Sequence, residues 1–220
     1  MHRIRNEPKI KDAPQTEGLT LHWAGQYDFF SHLLGLGVNS RNSKMVIELA
    51  KIKPGDKVLD VACGTGSLTL TVYTYAGPTG IVYGVDASPE MIEVAKKSAA
   101  RSAPQVVFEV GLAEKLDFPT ATFDVVISRL AIHHLPDDLK TKAFTEILRV
   151  LKPGGRVLIA DFVQPSNHML NHLTSVFIGP KMAQTDTWSL PPMLTSAGFV
   201  DVTFGPTRSS FLGFVSGKKP

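Results

Sequence analysis

Between Lys57 and Asp161 the chain alternates short apolar runs with helical stretches, and the turns between them carry glycine, proline or helix-capping residues. Strands that alternate with helices lie parallel, because each helix returns the chain to the same edge of the sheet. The pattern predicts strands at 57–61, 80–85, 105–110, 123–127 and 155–161, with helices near 67–76, 89–102 and 137–151. In the last of these helices Leu139, Ala143, Ile147, Val150 and Leu151 recur at helical spacing, and Lys152-Pro153-Gly154-Gly155 reads as its stop. A short helix is expected at Leu190–Ala197, followed by two closely spaced strands, Phe199–Phe204 and Ser209–Ser216, that suit an antiparallel hairpin. The fold class is therefore α/β, a seven-stranded, mostly parallel sheet with a C-terminal antiparallel hairpin and helices on both faces.

The segments outside this rhythm have their own character. Residues 1–18 are polar and read as a flexible lead-in; residues 19–220 read as a single domain. Within it, 19–51 forms an N-terminal helical cap, whose first part, Leu19–Leu36, is rich in aromatic residues and whose second helix runs from Asn39 to Lys51. Gln164–Asp186 interrupts the alternation with apolar residues such as Met169, Leu173 and Phe177, and is expected to be an insert on the substrate side. No apolar run approaches the roughly 20 residues that span a bilayer, the N-terminus lacks the apolar middle of a signal peptide, and a cytoplasmic location is expected. A net charge of +3 from scattered Lys and Arg does not argue for a nucleic acid or another polyanion. One cysteine, Cys63, excludes an internal disulfide and a cysteine-cluster metal site, and no other metal-ligating cluster is evident.

The first strand leads into VLDVACGTGSLTL, residues 58–70. In an open parallel sheet the loop after the first strand lies at the edge where ligands bind. Gly64 and Gly66 would let the backbone approach such a ligand closely. A dinucleotide fingerprint needs a third glycine where Thr69 stands, and a phosphate loop needs Gly-Lys-Ser/Thr, which is absent. The second strand ends at Asp86, where a carboxylate can accept both hydroxyls of a ribose. The other reading of Asp86 is the N-cap of the helix that follows. A ribose acceptor without a pyrophosphate site suits S-adenosylmethionine, which carries an ammonium and a ribose and no phosphate.

VLDVACGTGSLTL, VYGVDASPEMIEVAKK, FPTATFDVVISRLAIHHLPD and LRVLKPGGRVLIADF, in this order between about Asp56 and Phe162, resemble the successive motifs of class I S-adenosylmethionine-dependent methyltransferases. The segment around Tyr27-Asp28 further resembles the ubiquinone/menaquinone-biosynthesis C-methyltransferases and their small-molecule relatives. The resemblance implies a Rossmann-like domain with S-adenosyl-L-methionine as cofactor. It implies that Asp60, Gly64 and Gly66 surround the methionine part, with Thr65 donating hydrogen bonds and Tyr27 reaching in from the cap. Asp86 and Ala87 would hold the ribose side. Met91 would lie against the adenine or else in the core, and Leu112 and Ala113 would border the adenine. Leu112 departs from the family, which usually has Asp or Asn there to accept from the adenine amino group; a leucine side chain accepts nothing, so either a backbone carbonyl or Glu114 replaces that contact or adenine recognition is weaker.

Ser128 and Arg129 stand where the family places residues beside the transferable methyl group. Of the histidine pair, His134 matches the family histidine near the cofactor, and His133 is the candidate base facing the acceptor, with His22, His168 and His172 as alternatives. The catalytic candidates are thus His133 and Arg129. No Pro-Pro-aromatic motif follows Ser128, which disfavours methylation of exocyclic base amines, and one cysteine is too few for base C5 or arsenite methylation. Sulfonium methyl transfer is a direct displacement, for which alignment and water exclusion matter most. The expected acceptor is a small, largely apolar molecule, aromatic or quinol-like, bound between the aromatic cap and the 164–186 insert. An O- or N-methyltransferase, or a protein of this fold that binds the cofactor with lost or altered catalysis, are the rival expectations.

Overall fold

The computed structural model describes residues 38–163, 187–209 and 212–220. They form one seven-stranded sheet. Helix α1 (Val38–Leu49) precedes strand β1 (Lys57–Val61), and α2 (Ser67–Ala76), β2 (Ile81–Asp86), α3 (Pro89–Ser102) and β3 (Val107–Val110) follow. Strand β4 (Phe123–Arg129) leads through a single 3₁₀ turn, Ile132–His134, into α4 (Asp137–Val150) and β5 (Leu151–Phe162). A second 3₁₀ turn, Thr187–Ser189, precedes α5 (Leu190–Ser196), and β6 (Val200–Pro206) and β7 (Leu212–Lys218) end the chain. The strand order is β3-β2-β1-β4-β5-β7-β6; the first five are mutually parallel, and β7 is antiparallel to both of its neighbours.

Side-chain alternation along the buried strands gives the sheet its two covered faces. Val58, Val125, Ile127, Leu158 and Ala160 point to one face and pack with Val46 and Ile47 of α1, Leu68 and Val72 of α2, and Ile92 and Ala95 of α3. Leu59, Val61, Val126, Val157 and Ile159 point to the other, against Phe144 and Ile147 of α4 and Leu190 and Leu194 of α5. Each Val, Leu, Ile or Phe side chain among them, fully buried, contributes about 1.5–3 kcal/mol. The helix starts also follow from local chemistry. Ser88 caps α3 by accepting from the Met91 N–H, Pro89 occupies the first turn where its missing N–H costs nothing, and Glu90 faces the positive end of the helix.

The expected strand at 155–161 begins earlier than its sequence suggests. Helix α4 ends at Val150, and Leu151 is already extended and paired with Phe123. The Lys152-Pro153-Gly154-Gly155 stretch then forms an irregularity in the ladder before Val125 pairs with Arg156, with Gly154 at φ 75°. Strand β3 starts at Val107 because Pro104-Gln105 form the turn after α3. Thr207 closes the β6–β7 connection by donating its hydroxyl to the Leu212 carbonyl at 2.7 Å. No helix among the described residues is long and apolar enough to cross a membrane.

Candidate functional site

The strand order reverses between β1 and β4, and the residues singled out from the sequence gather at the carboxyl edge there. Pairing fixes their relation: Asp60 lies beside Gly84 and Ile127, while Ser128 and Arg129 lie beside Ile159 and Ala160. The β1–α2 loop is wound tightly, with Ala62 at φ 58°, Gly64 at φ 55° and Gly66 at φ 80°. It is tied to β2 by two hydrogen bonds: the Cys63 N–H donates to the Val85 carbonyl at 2.9 Å, and the Gly64 N–H donates to Asp86 Oδ2 at 2.8 Å.

The two glycines divide the labour. A Cβ on Gly64 would meet no described atom within 4 Å, so this glycine lies against open space. A Cβ on Gly66 would stand 2.6 Å from Phe108 Cζ and 3.1 Å from Ala95 Cβ. Gly66 thus lets α2 and its loop sit on the Phe108 ring, while Gly64 faces open space. Met91 is buried at 3% exposure and packs in α3. Thr65 and Ala87 are half-buried at the same edge.

Asp86 accepts from the Ser88 N–H at 2.9 Å as well as from Gly64, and burial raises its pKa above the ordinary carboxylate value. The N-cap of α3 is Ser88, so Asp86 is not the cap; it holds the loop and keeps a half-buried carboxylate at the site. Asp60 is 1% exposed, and its Oδ2 accepts from the Thr69 hydroxyl at 2.7 Å. Burial pushes Asp60 up to about 7, opposed by the Thr69 hydrogen bond and the nearby Arg129 charge, and reinforced by Asp86. Thr69 thus stands where a dinucleotide loop would need glycine and anchors the buried acid instead.

Arg129 donates from Nη1 to Ser43 Oγ at 2.9 Å, which fastens the end of β4 to α1. Ser128 is 1% exposed, and its hydroxyl has no hydrogen-bond partner among the described residues. Leu112 forms an isolated bridge with Lys115 and its carbonyl accepts the Lys115 N–H at 3.2 Å, leaving one further lone pair on that oxygen. Ala113 is half-buried next to it and packs on the core. Tyr27 and the alternative bases His22, His168 and His172 lie outside the described residues.

The histidine pair ends the 3₁₀ turn after β4. His133 is 6% exposed, with its ring wedged between His134, centroids 4.0 Å apart, and Phe162, at 5.0 Å. Its Nδ1 lies 2.6 Å from Asp161 Oδ1, and its backbone N–H donates to Asp161 Oδ2 at 3.0 Å. His134 is half-buried, and burial, helped by His133, lowers its pKa to about 4. Its Nδ1 has no hydrogen-bond partner among the described residues. Asp161 went unnoticed in the sequence, although it ends an apolar strand as Asp86 does. No group of His, Cys, Asp and Glu among the described residues is arranged to hold a metal ion.

Residues 52–193 match the family described as "Methyltransferase domain". The ubiquinone/menaquinone biosynthesis C-methyltransferase UbiE of Ectopseudomonas mendocina is 31% identical over 99% of this chain and 93% of its own length. The chain belongs to the class I S-adenosylmethionine-dependent methyltransferases. The corresponding UbiE of Saccharophagus degradans is 30% identical over 96% of this chain and 94% of that protein. Among solved structures, a SAM-dependent methyltransferase from Aquifex aeolicus shares the fold at a TM-score of 0.70 and 21% identity, covering 90% of this chain and 97% of that one. The enzyme is thus a methyltransferase with S-adenosylmethionine as its methyl donor. Open space over Gly64, the half-buried Asp86 carboxylate and the orphaned Ser128 hydroxyl fit a donor that presents a ribose and an amino acid end and no phosphate.

Proposed function

We propose that this methyltransferase transfers a methyl group to a ring carbon of a small, largely apolar hydroquinone-like acceptor, with His133 as the base. The observation that carries the reading is the buried His133–Asp161 pair, set in the turn after β4 and at the end of β5, an arrangement that suits a base for an acceptor that must lose a proton. The full-length similarity to C-methyltransferases of quinone biosynthesis supports the same acceptor class. In this reading Asp86 and Ala87 hold the ribose, Asp60, Gly64, Thr65 and Ser128 border the methionine end, and Leu112 offers its backbone carbonyl, with Ala113, to the adenine. His134 completes the donor site, and Arg129 orients the end of β4. The donor supplies a methyl group on a sulfonium that an acceptor displaces directly.

The protein's part is to align that displacement, to exclude water and to take a proton. His133 Nε2 receives the proton of the acceptor hydroxyl, which raises the electron density of the neighbouring ring carbon; once the methyl has left sulfur for that carbon, the carbon loses its own hydrogen and the oxygen regains one, which restores the aromatic ring. His134, neutral at neutral pH because burial holds its pKa near 4, adds no opposing charge beside it. The expected lead-in 1–18, the first part of the 19–51 cap and the 164–186 insert lie outside the described residues. The enzyme works in the cytoplasm on a small molecule and not on nucleic acid.

The test is methyl transfer from labelled S-adenosylmethionine to an alkylated 1,4-benzohydroquinone and a 1,4-naphthohydroquinone, each with one open ring carbon. Mass fragmentation locates the new methyl group on carbon, oxygen or nitrogen. Turnover on carbon that falls about a hundredfold or more in His133→Ala supports the reading. Methylation of oxygen alone, or full turnover in that variant, refutes it.

A further inference from the structure

We propose that Asp161 is the positioning residue that fixes the His133 ring in one tautomer, with the hydrogen on Nδ1 and the lone pair on Nε2. This rests on His133 acting as the base. Two backbone N–H groups and one ring nitrogen converge on one carboxylate that is 2% exposed. Oδ1 accepts from the Phe162 N–H at 2.8 Å and lies 2.6 Å from His133 Nδ1, and Oδ2 accepts from the His133 N–H at 3.0 Å. Both oxygens are thus committed to backbone donors, and the carboxylate is left with acceptor positions only. A ring nitrogen at 2.6 Å from such an oxygen carries the hydrogen, so the basic lone pair is placed on Nε2.

The surroundings make the arrangement stiff. The His133 ring is wedged between His134 and Phe162, and β5, which carries Asp161, is paired along its length with β4 and β7. Asp161 holds the backbone of the 3₁₀ turn and the ring of the same residue with one group. An asparagine cannot reproduce this. Its amide has one oxygen, so whichever way it is turned, its NH₂ confronts a backbone N–H, at Phe162 or at His133. Turned to satisfy the His133 N–H, it also presents its NH₂ to Nδ1 and drives the ring to the opposite tautomer.

The test has a reading independent of turnover. In protein with ¹⁵N-labelled histidine rings, two-bond couplings report the tautomer of neutral His133; the Nδ1–H form is expected in the wild type. The Nε2–H form there overturns the proposal, whether or not any variant folds. In Asp161→Asn, with folding verified by circular dichroism and by S-adenosylhomocysteine affinity, the ring should move to the Nε2–H form. With the alkylated 1,4-benzohydroquinone, kcat should fall about a hundredfold with KM little changed. Adding Asp161→Asn to His133→Ala should cost nothing more, because the two act as one unit. An unchanged tautomer together with an unchanged kcat in a folded Asp161→Asn variant overturns the proposal. Turnover that survives His133→Ala defeats the base reading instead, and the NMR result then decides separately whether Asp161 sets the tautomer.

Discussion

The division of labour between the two loop glycines predicts opposite phenotypes for the same substitution at positions two residues apart. At Gly66 an alanine meets Phe108 Cζ at 2.6 Å and Cε1 at 2.9 Å, with φ at +80°. The ring has little retreat, since it already fills the space left by the missing side chain of Gly84, where a Cβ would stand 2.7 Å away. Left-handed strain adds about 1–2 kcal/mol and overpacking about 1–3 kcal/mol, so Gly66→Ala should lose about 2–5 kcal/mol of stability. For a chain of this size that lowers Tm by on the order of 10 °C. At Gly64 the left-handed strain applies at φ +55°, but a Cβ touches no described atom. Gly64→Ala should lose only about 1–2 kcal/mol of stability, yet weaken S-adenosylhomocysteine about tenfold or more, since the methyl group enters the space over the loop. Thermal unfolding and isothermal titration calorimetry on both variants separate the effects. Equal destabilisation by the two, or undiminished affinity in Gly64→Ala, would refute the reasoning.

Asp86→Ala should lose the anchor of the Gly64 N–H as well as the ribose acceptor, about 2–3 kcal/mol and up to about a hundredfold in Kd by calorimetry; unchanged affinity would reduce Asp86 to a loop brace. Because burial raises Asp60 from 3.8 to about 7, the folded state keeps a proton that the unfolded chain releases. Stability from this group is therefore present below about pH 4 and lost as pH rises through about 7, by at most about 4 kcal/mol, and Asp60→Asn should flatten that slope in urea unfolding against pH. Thr69→Val should leave the buried Asp60 carboxylate without its hydroxyl donor; it should cost about 1–3 kcal/mol above pH 7 and less at low pH, as the same titration would show.

Much of this fold was legible because its signals are local. The helices expected near 67–76 and 89–102 form at Ser67–Ala76 and Pro89–Ser102, where Gly66, Ser88 and Pro89 mark the starts. The early start of β5 escaped because Lys-Pro-Gly-Gly reads as a turn, whereas pairing of Leu151 with Phe123 belongs to the neighbouring strand. The site divides in the same way. The acids ending β1 and β2 and the glycine loop are visible as a motif, and so is the histidine pair. What the sequence conceals is who holds whom. Asp161 lies on the strand after the helix that follows His133, and no spacing rule links them. Thr69 looked like an absent glycine until its hydroxyl was seen on Asp60. Gly66 looked like ligand clearance because Phe108, its partner, is on an edge strand far along the chain.

That edge strand has a consequence for the enzyme's breathing. Phe108 is the one buried residue of β3, a four-residue strand hydrogen-bonded to the sheet on one side only, with Val107 and Val110 exposed. Short edge strands open at a fraction of the global unfolding free energy. When β3 peels away, it withdraws the ring on which the donor loop is seated, so the loop and the edge must loosen as one cooperative unit. Donor binding, which needs the loop seated, then slows amide exchange along β3 even though most of that strand never approaches the ligand. The sheet's outermost strand serves as a remote gauge of whether the donor loop is seated.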